Sequence, residues 1–134
     1  MTADAFSIRH IPALFVATTC TFGGIWPLFN PKSAMLEFGF APSVAESPAA
    51  GLAFAEGGAR TTVLGMFIYI LYFRGQYAEI DTLLALWGVW CGIVDSYLVY
   101  KSGSEPGGAL SRLVSSWIVA GLGFYGVTQS SNRT

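Results

Sequence analysis

Charged and turn-forming residues collect in short bands along this chain, and between the bands lie four long apolar stretches. A hydrocarbon layer about 30 Å thick is crossed by about 20 helical residues. The first stretch, residues 11–29, has that length and carries no charge. Pro12 falls in its first turn, where proline is tolerated, while Pro27 predicts a bend or an end. Arg9 and His10 precede it as a signal peptide's basic flank would, but the apolar run is long for one, and we read a retained helix. The second stretch, residues 49–73, carries Glu56 and Arg60 and ends at Arg74-Gly75, a charge followed by a helix-breaking glycine. The third, residues 80–100, has Asp81 or Thr82 as its predicted cap and one further charge, Asp95. A turn rich in glycine and serine, Lys101 to Gly108, leads to the fourth, residues 109–127. Between the first two stretches, Pro31, Pro42 and Pro48 predict a loop of nearly twenty residues, of the kind that forms lids or mouths. Its Met35, Leu36, Phe38 and Phe40 predict packing on the bundle or in the membrane interface. The pattern as a whole predicts an all-α, multi-pass integral membrane protein, a four-helix transmembrane bundle forming one domain over residues 1–134.

Composition agrees with that architecture. Apolar residues make up 53% of the chain and charged residues 11%, against about a quarter charged in an average soluble protein. A small soluble domain needs more charge than this to cover its large relative surface, and the mean hydropathy of +0.54 suits a surface facing lipid. A net charge of -1 and the absence of any recognition motif exclude a polybasic nucleic-acid interface. Basic residues divide evenly between the two predicted sides, so they set no orientation. Cys20 and Cys91 lie inside apolar runs and read as small buried hydrophobes, with neither disulfide nor zinc spacing. His10 reads as an interfacial flank residue, and one histidine makes no metal site. With no phosphate loop or haem, flavin or metal signature, neither cofactor nor metal is expected. Glycines and serines recurring through the later stretches, Gly58, Gly65, Gly88, Gly92 and Ser116 among them, predict close helix approach.

Ionisable groups inside membrane spans are costly and usually functional, which singles out Glu56, Arg60 and Asp95. The second and third helices share a short link and are expected to be antiparallel neighbours. Arg60 precedes Arg74 by as many residues as Asp95 follows Asp81, which sets both about 21 Å from that link. Glu56 shares a helix face with Arg60 at i and i+4. Tyr97 and Tyr100 point about 160° and 140° away from Asp95, so its partner must come from another helix. Ser115, Ser116 and Asn30 approach the same depth. The expectation is a polar cluster of Glu56, Arg60 and Asp95 opening toward the long loop. A neutralising ion network that only sets helix register is the competing reading.

Several of these features occur together in one family. The loop, then Gly58-Ala59-Arg60 with Gly65, the Arg74-Gly75 turn, Asp95, and Tyr97-Leu98-Val99-Tyr100 before a glycine turn resemble a family of small four-span membrane proteins of bacteria and fungi, catalogued as a domain of unknown function. The resemblance covers about residues 38–126. That family often carries a histidine early in the fourth span, where Leu110 to Ser116 has none. A weaker resemblance is to the small fungal membrane epoxide hydrolases of polyether biosynthesis, and it implies a lipophilic polyketide or terpenoid substrate.

Epoxide opening needs a base to activate water and an acid to protonate the departing oxygen. The assignment expected from sequence is Asp95 as base, Arg60 as orienting cation and Glu56 as acid, with the two carboxyl roles exchangeable. Trp87, Cys91, Phe67, Ser115 and Asn30 are the expected substrate-binding residues. The partners expected are the bilayer and a lipophilic small molecule, with a homo-oligomer compatible. A small-molecule or proton-coupled carrier, or a non-catalytic assembly subunit, is the alternative.

Overall fold

The computed structural model describes residues 6–129, and every regular element among them is helical. A single 3-10 turn, Ile8–His10, leads into α1, Ile11–Phe29; then follow α2, Pro31–Phe38, and α3, Pro42–Ala45. The long helices α4, Pro48–Phe73, and α5, Tyr77–Lys101, precede α6, Pro106–Phe124. Prolines stand first in α2, α3, α4 and α6, where the missing N–H is no loss and the ring's fixed φ suits the helix. The expected loop over residues 30–48 is therefore two short helices, and the three prolines taken as breakers are helix starts. Asn30 accepts from the Ser33 N–H at 3.0 Å to cap α2, and Ser47 caps α4 through the Ala50 N–H. Pro27 does not end α1, which continues to Phe29 with Pro27 buried.

The ends of α4 and α6 follow one design. Gly75 (φ 69) and Gly126 (φ 64) adopt the left-handed conformation. Around them Gln76 N–H reaches Leu71 O, and Val127 N–H reaches Leu122 O. These are Schellman closures, which glycine makes without Cβ strain. The expected fourth stretch is thus shifted, starting at Pro106 and stopping at Phe124. Asp81 is not a cap. It lies a turn inside α5, 2% exposed, and its carboxylate accepts from the Thr128 and Gln129 N–H groups at 3.1 and 2.8 Å. That ties the segment after α6 back onto α5.

The long helices pack as two pairs, α1 with α4 and α5 with α6, and the pairs touch each other far less. Small residues explain the pairing. A Cβ on Gly24 or Gly58 would run into the other glycine's backbone, and one on Gly65 would strike Ala17 and Thr21. Between the second pair, Gly88 meets the backbone of Ser116 and Ala120, and Gly123 meets Asp81 and Ala85. Such contacts let backbones approach closely, and Thr62 adds an interhelical bond to Thr21 O at 3.0 Å. The pairs converge at the α4–α5 turn, where Ala13, Val16, Ile68, Leu71, Tyr77, Ile80 and Leu84 form the core. His10 belongs to this end and is fully buried in the protein. Its ring stacks on Tyr77 at 4.6 Å, and its Nδ1 lies 3.1 Å from the Tyr72 hydroxyl. Toward the other end the pairs spread apart, and α2 lies across that end.

Candidate functional site

Between the spread pairs lies a cleft of about 640 Å³, within the size range of small-molecule sites. Its walls are largely apolar, with Val16, Trp26, Phe38, Phe54, Trp87 and Val119 among them. Its polar groups come from four directions: Thr19 and Cys20 from α1, Thr61 from α4, Cys91 and Asp95 from α5, and Arg112, Ser115 and Ser116 from α6. Glu37 of α2 borders the mouth. Phe15, Thr19, Gly23, Gly57 and Ser115 on the rim are exposed, so the cleft opens between the helix pairs.

Arg112 organises the mouth. Its Nε donates to Phe38 O at 2.7 Å and a terminal NH2 donates to Glu37 O at 3.2 Å. Those carbonyls belong to the last turn of α2, which lack partners within the helix and attract a cation. The guanidinium also lies 3.9 Å over the Phe38 ring, and that ring packs against Phe40 and Phe54. The segment of α2 and α3, the lid over this mouth, is held a second time where the Ala41 N–H reaches Ser102 Oγ at 3.1 Å, beside Gly39 in a left-handed conformation against Val99. Asp95 and Glu37 are the charges that act on Arg112, and Arg112 is the one that acts on Asp95. Among the described residues Asp95 forms neither a direct ion pair nor a protein hydrogen bond. Its carboxylate is therefore presented to the cleft, with a cation near but not in contact.

The expected meeting of Arg60 with Asp95 does not occur. Arg60 bonds Glu56 one turn back at 2.5 Å on the outside of α4, with the two side chains 71% and 67% exposed. Neither borders the cleft. The cause is the pairing of helices: α4 presents its glycine face to α1, and α5 presents Gly88 and Gly92 to α6. The short α4–α5 link does not bring those helices face to face. Two expected binding residues also lie elsewhere. Phe67 is 47% exposed on the outer face of α4, and Asn30 is spent on the α2 cap. Trp87, Cys91 and Ser115 do border the cleft, and the Ser115 hydroxyl donates back to Ser111 O. Sequence reasoning missed Arg112 and Glu37. Arg112 occupies the Leu110–Ser116 stretch, and it stands as many residues after the start of α6 as Asp95 stands before the end of α5. Among the described residues no three His, Cys, Asp or Glu side chains gather to hold a metal.

The fold is all-helical around a cleft with largely apolar walls, and Ile8–Phe29 and Tyr77–Lys101 are long and apolar enough to cross a membrane. The chain belongs to the family described as Domain of unknown function (DUF4267), whose model matches residues 17–126. That span takes in α1 from Ala17 onward, all of α2 to α6 and every polar group of the cleft named above. No curated protein and no solved structure matches the chain.

Proposed function

We propose that this is a four-span integral membrane protein that takes a lipophilic small molecule into the cleft and acts on it by acid–base chemistry. The membrane reading is supported by the outward-facing residues of all four long helices, among them Phe15, Phe22, Val63, Phe73, Trp90 and Ile118, which are large, apolar and exposed. On a soluble protein such a surface would be an aggregation hazard, and in lipid it is the expected finish. Helices α4 and α6, at 26 and 19 residues, are about 39 and 28 Å long, enough to join the other two across a bilayer. A cleft opening between helix pairs would then admit its ligand sideways from the hydrocarbon.

The observation that carries the chemistry is the Asp95 carboxylate, presented to an apolar cavity without a side-chain hydrogen bond, with Arg112 near it and Glu37 lining the same cleft. Epoxide opening is the reaction these groups suit. Asp95 accepts a proton from water as the water oxygen bonds to an epoxide carbon. The carbon–oxygen bond of the ring breaks, and its oxygen takes a proton from the Glu37 carboxyl. Proton return from Asp95 to Glu37 resets the pair. Arg112 faces both carboxyls and steadies whichever is ionised. With a hydroxyl of the substrate in place of water, the same steps give cyclisation.

The test uses the protein in lipid nanodiscs with a panel of terpenoid and polyene epoxides in 18O-labelled water. One labelled oxygen per diol is expected, with Asp95→Asn slower by at least about 100-fold, the low end for loss of a general base. An unlabelled cyclic ether lost to the same degree in Asp95→Asn supports the cyclase form. Bound epoxide recovered unchanged, or full turnover in Asp95→Asn, refutes the assignment; the first outcome would favour a carrier.

A further inference from the structure

The Glu56–Arg60 pair takes no part in the cleft, and its setting is foreign to a helix face turned to lipid. Leu52 precedes it on the outer face of α4, and Val63, Met66, Phe67, Ile70 and Phe73 follow it, all exposed and apolar. If α4 crosses the bilayer, its length exceeds the hydrocarbon layer by about 9 Å. Even with that whole excess emerging at the Pro48 end, Arg60, about 18 Å along the helix, sits about 9 Å below the hydrocarbon surface. Ion pairing with Glu56 leaves guanidinium N–H groups and carboxylate lone pairs still facing outward. Ionisable groups within spans turn toward protein or water, not lipid. Protein therefore covers this face.

The pattern on the face says which protein. An acid and a base one turn apart form a patch complementary to itself, the property a two-fold contact requires. With two copies of α4 side by side and parallel, Arg60 of each lies one turn out of step with Glu56 of the other. Flanking charges bridge paired parallel helices across a similar offset. We infer that the outer face of α4 is a homodimer interface closed by reciprocal Glu56–Arg60 pairs. This rests on α4 crossing the membrane and is independent of the chemistry in the cleft.

The test measures dimer fraction in lipid vesicles by single-molecule photobleaching across a range of protein-to-lipid ratios. The unaltered chain is expected to dimerise. Glu56→Arg alone and Arg60→Glu alone each place like charges across the contact and are expected to lower the association constant by at least about tenfold. An equimolar mixture of the two is expected to form mixed dimers near the original strength. A pair acting only within its own helix would be broken in both variants and gain nothing on mixing. Monomers at every ratio for the unaltered chain, or no recovery in the mixture, overturn the inference. If either charge-reversed chain loses its helical circular dichroism, Glu56→Gln and Arg60→Gln replace them, each expected to weaken association by itself, with their mixture regaining one of the two cross-pairs and so part of the strength. Labelling Val63→Cys, in a chain with Cys20→Ser and Cys91→Ser, separates two kinds of failure. Monomers protected from a water-soluble maleimide refute the interface alone, and labelled monomers refute the membrane placement of α4 as well.

Discussion

Replacing Arg112 by methionine should release the lid while leaving the four long helices in place. The side chain makes two hydrogen bonds to the last-turn carbonyls of α2 and lies over the Phe38 ring. A charge-assisted bond as short as the 2.7 Å contact to Phe38 O contributes about 1.5 kcal/mol. The longer, exposed bond to Glu37 O contributes about 0.5 kcal/mol, and stacking on Phe38 about 1 kcal/mol. Loss of about 3 kcal/mol corresponds to about a 100-fold rise in the open population of α2. Hydrogen exchange followed by mass spectrometry reads this directly, since the amides of residues 34–40 exchange through local opening. Their protection is expected to fall about 100-fold in Arg112→Met and at least about fivefold in Phe38→Leu, which keeps both hydrogen bonds but loses the stacking and the ring contacts to Phe40 and Phe54. The α1 amides near Ala13 and Ala17 should be unchanged in both. Equal protection of α2 in Arg112→Met and the unaltered chain would refute the reading of Arg112 as the clasp. Loss of protection throughout α1 would show that it holds the whole fold instead.

Four further outcomes follow from the packing. Gly88→Val pushes a side chain into the backbone of Ser116 and Ala120, so it should cost at least about 1–3 kcal/mol by overpacking and lower the thermal midpoint in detergent. Gly57→Ala, where there is open space, should instead raise stability by about 0.5–1 kcal/mol through helix propensity. Asp81→Ala strands the buried Thr128 N–H and the Gln129 N–H, at about 1–3 kcal/mol, and should expose the segment after α6 to limited proteolysis before the rest of the chain. Trp87→Ala removes an aromatic wall from the cleft and should weaken binding of a lipophilic fluorescent probe about tenfold, with helical circular dichroism retained.

The long helices were legible because apolar length is a one-dimensional signal, and the glycines that end α4 and fill the pair interfaces act through backbone geometry that sequence shows plainly. The lid was legible only in part. Asn30-Pro31 and Ser47-Pro48 each combine a capping side chain with a proline in the first helical position, which is a helix start signal. Density of proline over residues 30–48 concealed it, since the same residue breaks a helix in its interior and opens one at its first turn. Asp81 shows the same ambiguity: an acid near a helix start suggested a cap, but α5 begins a turn earlier and buries the carboxylate against the segment beyond α6. His10 could not be placed from its flank position, because what buries it is a pair of tyrosines more than sixty residues away at the α4–α5 turn.

The partner of Asp95 turned on which link is used to measure depth. Counted from the α4–α5 turn, Arg60 and Asp95 share a level about 21 Å away; counted from the α5–α6 turn, Asp95 and Arg112 share one about 9 Å away. Helices crossing at about 20° separate by about 7 Å over the longer distance and only about 3 Å over the shorter. Equal depth near a turn is therefore close to contact, while equal depth far from one still leaves a gap wider than an ion pair. Azimuth decides the rest. Arg60 has a carboxylate one turn away on its own helix and needs nothing from α5, whereas Arg112 stands one turn before Ser116, the residue that meets Gly88 and Gly92 at the α5–α6 contact. The small residues that bring α5 and α6 together thus also fix which cation faces Asp95, and a side chain added at Gly92 should disturb the charge environment of Asp95 without touching Arg60.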